Sequence, residues 1–246
     1  MTIKLRMHGS KINEVLQLNK VYESTIKFEK FIKKNKGFKN TDTILDAGCG
    51  IGSNSYYFSK KNPAINFIGG DYRKKIIIYA KKILNNKNNN KLKLKLKFIN
   101  YNIIKPSKNL INKFNGIICI HTFCTFKNSQ IVINGFCKLK PKWIAINSLF
   151  YDGPMEVLTH IRDSKTNLRD KDPDGDFNIF SLPKIKKQFL ANGYKIKFIP
   201  FFPKKKLIMP RDRSRGSYTL KTSLNKNTIF SGPVHLPWYF IFATKI

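Results

Sequence analysis

Thr43-Ile-Leu-Asp-Ala-Gly-Cys-Gly-Ile-Gly-Ser-Asn54 reads as a short buried strand ending in a carboxylate, then a glycine-rich turn, then the start of a helix. Glycines at 48, 50 and 52 let the backbone turn sharply and approach a ligand closely, because no side chain intervenes. Asp46 is the decisive residue. A dinucleotide site offers its turn and helix N-terminus to a pyrophosphate, which a carboxylate at this point would repel. The dinucleotide glycine spacing also fails, since its third position falls on Ser53. A carboxylate beside a glycine turn suits a ligand that carries an ammonium group.

A second apolar strand ending in an acid, Ile65-Asn-Phe-Ile-Gly-Gly-Asp71, follows about 20 residues after the turn. At that spacing an acid at a strand tip accepts hydrogen bonds from a ribose hydroxyl pair. With these two segments the chain resembles the class I S-adenosylmethionine-dependent methyltransferases, whose first motif matches Leu45-Asp-Ala-Gly-Cys-Gly-Ile-Gly52. The resemblance covers residues 40 to 150, and the final strands more loosely. It implies an α/β, Rossmann-like methyltransferase fold: a mostly parallel seven-stranded sheet with helices on both faces and a substrate-covering insertion after strand five. It also implies S-adenosyl-L-methionine as cofactor. Asp46 and the backbone of Gly48, Cys49 and Gly50, with Asn54 beside them, would line its methionine part. Asp71 would hold the ribose, and Tyr72 would lie near the adenine. Asn102 is the nearest match to the residue that meets the adenine amine, and it reads equally well as a turn residue. Ile120 would border the transferring methyl, and Tyr22 would reach the cofactor or serve as a core aromatic.

The length of 246 residues suits one domain: an N-terminal helical cap (1–40), a cofactor-binding half (41–150), and insertions with the final strands (151–246). A net charge of +33 invites a nucleic-acid reading. Of the 47 basic residues, however, only seven are arginine and the other 40 are lysine. Base-edge and bidentate phosphate recognition favour arginine. Lysines spread along the whole chain, with abundant asparagine, isoleucine and phenylalanine, fit an AT-biased coding sequence better than a dedicated polyanion site. The four cysteines (49, 119, 124, 137) lack metal-ligand spacing and read as core thiols of a reducing compartment. Met-Thr-Ile-Lys-Leu-Arg at the start has no apolar signal core, and no apolar run approaches about 18 residues. A cytoplasmic, soluble protein is expected.

Helical spacing runs from Ile12 to Lys34 and from Lys74 to Leu84, with a polar loop over Asn85–Asn90. Lys91-Leu-Lys-Leu-Lys-Leu-Lys-Phe98 alternates strictly, as an edge strand with one buried face does; a basic nucleic-acid strip is the competing reading. Strand four (114–120), a helix (126–139) and strand five (143–147) follow. Asn115 departs from the family's acid at the start of strand four. Tyr151–Phe177 reads as an insertion over the active site, with the turn-rich Asp172-Pro-Asp-Gly-Asp176 inside it. Helix 182–191, strand 194–201, an irregular stretch over Pro203–Pro233 and a last strand, 238–243, complete the chain as an antiparallel hairpin.

Methyl transfer from a sulfonium is an in-line displacement needing alignment and exclusion of water. A base is required only when the nucleophile must lose a proton. His121, at the end of strand four, is the first candidate for a base or substrate contact. His160, with Asp152 and Arg162, lies in the first insertion. Tyr218 and His235, with Trp238 as a pocket wall or a core anchor, lie in and after the second. Arg211-Asp-Arg-Ser-Arg215 hints at an anionic acceptor, or is a solvated loop. A small-molecule O-, N- or S-acceptor is the first reading and an RNA or DNA methyltransferase the second. Against the second, strand four ends in Ile-His-Thr-Phe where the base-amine enzymes carry Asn/Asp-Pro-Pro-aromatic, and no catalytic Pro-Cys pair is present. A non-catalytic binding protein and a nicotinamide-dependent oxidoreductase fit less well. No metal is called for, and the oligomeric state is not legible.

Overall fold

A computed structural model describes residues 21–88, 94–160, 177–209 and 217–246. Helix α1 (Glu23–Lys34) precedes β1 (Thr43–Ala47), α2 (Ser53–Lys61), β2 (Asn66–Asp71), α3 (Lys74–Asn88) and β3 (Leu96–Asn100). Then come β4 (Gly116–Ile120), α4 (Ser129–Lys138), β5 (Trp143–Tyr151), the two-residue β6 (Phe180–Ser181), α5 (Leu182–Ala191) and β7 (Tyr194–Pro200). Three short strands, β8 (Ser217–Lys221), β9 (Asn227–Ser231) and β10 (Val234–Leu236), lead into β11 (Trp238–Lys245).

The main sheet runs in the order β3-β2-β1-β4-β5-β11-β7, with β6 paired to β5. Strands β1 to β5 pair in parallel, and β11 runs antiparallel between β5 and β7. This is the Rossmann-like methyltransferase arrangement expected from the sequence. Because side chains alternate along a strand, β1 sends Leu45 and Ala47 to a core shared with Val132, Phe136, Ile185 and Phe189 of α4 and α5. Ile44 faces the other way, into a core with Phe28 and Ile32 of α1 and Phe58 of α2. Asp46 shares the Ile44 face. Aromatic contacts seat α1 there, with the Phe28 and Phe240 rings 5.2 Å apart.

Three expectations are corrected in detail. Helix α3 continues to Asn88 through the segment read as a loop; with no proline or glycine before that point, nothing breaks its ladder. Strand β5 runs four residues past Asn147, because the polar pair Asn147-Ser148 is fully buried between β4 and β11 instead of ending the strand. The stretch expected to be irregular holds a three-stranded antiparallel sheet, β10-β9-β8. Its turns are an Asn225 at φ 57° and the Gly232-Pro233 connection, with Gly232 at φ 54°. Asn115, at the position of the family's acid, accepts from Thr43 N at 2.9 Å and ties the start of β1 to β4.

Strand β3 is the sheet edge, as the lysine alternation required; its expected beginning, Lys91–Lys93, lies outside the described residues, as do Ile12–Lys20, Asn89–Asn90 and Asp172–Asp176. No helix among the described residues is long and apolar enough to cross a membrane.

One position tests how α4 docks. A Cβ on Gly135 would overlap the Ile103 carbonyl oxygen. Helix propensity favours alanine over glycine by about 1 kcal/mol, while forcing a backbone clash costs about 1–3 kcal/mol or more. Gly135→Ala is expected to destabilise the fold by about 2 kcal/mol in urea unfolding; a variant as stable as the parent would show that α4 stands off this loop.

Candidate functional site

The site forms where β1, β2 and β4 end. After β1 the chain turns through Gly48 at φ 80° and Gly52 at φ 86°, values open to glycine without strain. A Cβ on Gly48 would also strike Thr122, whose Oγ1 donates to the Gly48 carbonyl at 3.0 Å. The turn's own donors point inward: Gly48 N and Cys49 N donate to Gly70 O at 2.7 and 3.0 Å, and Gly52 N to Cys49 O at 2.9 Å. Gly50 N donates to Asp71 Oδ2 at 3.1 Å. A phosphate-binding turn presents such N–H groups to its ligand. Here the N–H groups of Gly48, Cys49 and Gly50 are taken by β2, and that of Gly52 by the turn itself.

Asp46 is 1% exposed, and Ser55 Oγ donates to its Oδ2 at 2.5 Å. Burial, opposed by the Ser55 hydrogen bond and reinforced by the charge of Asp71, pushes its carboxyl from 3.8 up to about 7. An ammonium group placed beside it would offset that cost. The buried acid and the inward-turned amides therefore fit the cationic amino-acid end of S-adenosylmethionine and disfavour a pyrophosphate.

Asp71, 2% exposed, accepts from Gly50 N and from Arg73 through its backbone N, Nε and Nη2, at 3.0 to 3.1 Å. Tyr72 is 55% exposed, and its carbonyl is held by Asn100 Nδ2 at 2.8 Å. Asn102 spends its Oδ1 on the backbone N–H groups of Ile104 and Lys105, at 2.9 and 3.2 Å, which is the turn role open to it from sequence. Asn54 accepts from Thr25 Oγ1 at 3.0 Å, linking α2 to α1. The Cys49 thiol is buried and its pKa is raised, chiefly by desolvation. Ile120 is buried at the end of β4.

Past β4, His121 adopts φ 57°, a left-handed conformation that is strained for a residue other than glycine. Its Nε2 lies 3.4 Å from Ser24 Oγ of α1 and 3.3 Å from Asn147 Nδ2 of β5. The Trp238 and Tyr22 rings stand 4.5 and 5.9 Å from the imidazole. Desolvation by these neighbours lowers its pKa from 6.5 to about 4. Asn147 is fully buried, and its Oδ1 has no hydrogen-bond partner among the described residues.

The structure thus brings together Asp46, Asp71 and the turn, and beside them His121 and Tyr22. His235, Tyr218 and His160 lie on other elements. His235 belongs to the three-stranded sheet, where its Nε2 lies 2.6 Å from Thr228 Oγ1. Tyr218 donates to Gly232 O at 2.9 Å and stacks on Phe230. His160 is exposed at the end of the arm that follows the Val157–Ile179 bridge. Asp152 is exposed just beyond β5, while Arg162, Arg211–Arg215 and Gly216 lie outside the described residues. Ser55, Ser24, Arg73 and Asn147 escaped the sequence reading. Only Asn147 left a signal there, as an amide interrupting an apolar strand.

A family model described as a methyltransferase domain matches residues 38–192. No curated protein matches the sequence significantly. Among solved structures, the YcgJ protein of Bacillus subtilis is similar at 14% identity and a TM-score of 0.60, over 89% of this chain and 98% of its own. A SAM-dependent methyltransferase of Methanosarcina mazei is similar at 15% identity and a TM-score of 0.59, over 87% and 97%. Phosphoethanolamine N-methyltransferase 2 of Haemonchus contortus, in complex with phosphomonomethylethanolamine and S-adenosylhomocysteine, is similar at 13% identity and a TM-score of 0.59, over 89% and 52%.

The raised pKa of Asp46 has a signed consequence. The folded state holds its proton more tightly than the unfolded chain, so Asp46 lowers stability as pH rises from about 4 to about 7, by roughly 4 kcal/mol in all. Asp46→Asn is expected to raise Tm at pH 8 and to leave it nearly unchanged at pH 4, as read by calorimetry at both values. A Tm loss at pH 8 would contradict a costly buried carboxylate.

Proposed function

Because the chain belongs to the methyltransferase-domain family, we propose that it transfers the methyl group of S-adenosyl-L-methionine to a small-molecule acceptor seated beside His121. When bound, the cofactor supplies an electrophilic methyl on a sulfonium. Asp46 would hold its amino group, with Gly48, Cys49, Gly50 and Asn54 alongside. Asp71 would take the ribose, Tyr72 and Asn102 would border the adenine, and Ile120 and Tyr22 would close the methyl end. The observation that carries the donor assignment is the buried, proton-retaining Asp46 beside a turn whose Gly48, Cys49 and Gly50 amides bond to β2.

On the acceptor side, a pKa near 4 keeps His121 neutral through the physiological range. A neutral imidazole that weakly basic orients a nucleophile by hydrogen bonding and is poorly matched to removing a proton near pH 7. This favours acceptors that need no deprotonation by the protein, such as a neutral amine, a thiolate or a carboxylate. Support for a small acceptor comes from the rim. Leu149 of β5, Cys124, Ile179 and Leu236 pack into one apolar cluster with Trp238, joining the arm after β5 and the three-stranded sheet over the strand ends. Such packing suits an enclosed acceptor and exclusion of water. His160, His235 and Tyr218 would then act through these covering elements.

Calorimetry is expected to show binding of S-adenosylmethionine and none of a nicotinamide dinucleotide, with Asp71→Ala weakening the former at least tenfold. The reverse preference would end this reading. A metabolite pool incubated with labelled donor should yield a labelled small product; label found only in RNA would overturn the acceptor assignment. At saturating donor, kcat/KM for the acceptor is expected to lack an acid limb between pH 5 and 7 from His121. His121→Gln should raise KM about tenfold, the order of one lost hydrogen bond. A limb near pH 6.5 that disappears in the variant would instead make His121 the base.

A further inference from the structure

We infer that Arg73 competes internally for the ribose position, so that the donor binds only when the guanidinium leaves Asp71; this rests on the reading of Asp71 as the ribose-holding acid. An ionised carboxylate offers about four lone-pair sites, and all four are filled. Oδ1 accepts from Arg73 N and Nε, both at 3.0 Å, and Oδ2 from Gly50 N and Arg73 Nη2, both at 3.1 Å.

The four donors are not equivalent. Gly50 N and Arg73 N are backbone groups of the glycine turn and of the segment entering α3, and they cannot leave without remaking those turns. The guanidinium sits on a flexible stem, and its side chain is 30% exposed against 2% for Asp71. A ribose diol brings two neighbouring O–H donors, the same number that Nε and Nη2 supply, one to each oxygen. The two pairs of donors therefore exclude each other. The Tyr72 ring gives a displaced guanidinium an aromatic surface close by, with Arg73 Cζ already 5.6 Å from its centroid.

The consequence is a reduced apparent affinity: only the fraction of molecules with Arg73 withdrawn is competent for the sugar. Removing the guanidinium should therefore tighten binding, the opposite of what loss of a ligand contact does. A charge-assisted fork of this kind corresponds to a gain of about tenfold.

The test is titration calorimetry of the full chain and of Arg73→Ala and Arg73→Lys with S-adenosylhomocysteine, adenosine and methionine, together with melting curves without ligand. Arg73→Ala is expected to bind S-adenosylhomocysteine and adenosine about tenfold more tightly, to bind methionine unchanged and to melt lower without ligand. Arg73→Lys, which keeps the charge and loses the fork, should lie between. If a folded Arg73→Ala or Arg73→Lys binds adenosine no better than the parent, the inference is overturned while the donor site stands. If the parent chain binds neither S-adenosylhomocysteine nor adenosine, the ribose reading of Asp71 falls and takes this inference with it.

Discussion

Two carboxylates buried at the tips of adjacent parallel strands set the terms for everything around them. Asp46 and Asp71 are each at most 2% exposed, and the charge of Asp71 raises the proton affinity of Asp46. Isolated buried charges of like sign are costly. The fold meets that cost in two different ways. Asp71 is saturated by two backbone amides and a guanidinium, whereas Asp46 has the Ser55 hydroxyl and otherwise tends to keep its proton. The unequal treatment leaves Asp46 as the group with most to gain from an incoming cation.

The rest of the site follows from how the chain reaches those tips. Glycines in the turn let Gly48 N and Cys49 N share one carbonyl of β2, which closes the turn against that strand. Thr122 then packs on Gly48, so the end of β4 is held against the end of β1. Helix α1 completes the frame from its first turn. Glu23 accepts from Lys204 N and Lys205 N, Ser24 meets His121, and Thr25 donates to Asn54. One turn of one helix thereby touches three separate walls. His121 is desolvated in consequence and stays neutral through the physiological range.

The glycine turn, the two acids, the edge position of β3 and the order of helices and strands through residue 150 were legible because each is a local pattern. A strand that alternates lysine and leucine has only one face to bury, and an acid before Gly-x-Gly-x-Gly carries its own electrostatic statement. The three-stranded sheet between β7 and β11 was not legible, although Gly232-Pro233 and Asn225 mark its turns, because its strands are only three to five residues long. The continuation of β5 was hidden by Asn147 and Ser148, whose polarity argues for an exit from the sheet. His121 ranked first among the histidines from its place at the end of strand four, but its neighbours Ser24 and Asn147 could not be read there, since they are far along the chain.

From its sequence alone this chain determined a parallel α/β sheet with an acid-flanked glycine turn, since backbone freedom and hydrophobic period act over a few residues. Tertiary structure decided which amides of that turn bond to β2, which histidine is most desolvated, and which side chain occupies Asp71. Those properties depend on groups such as Gly48 and Gly70, Ser24 and His121, or Gly50 and Asp71, which are distant along the chain and meet only in the folded state. Hydrogen-bond saturation and desolvation are properties of that meeting, and no local pattern encodes them.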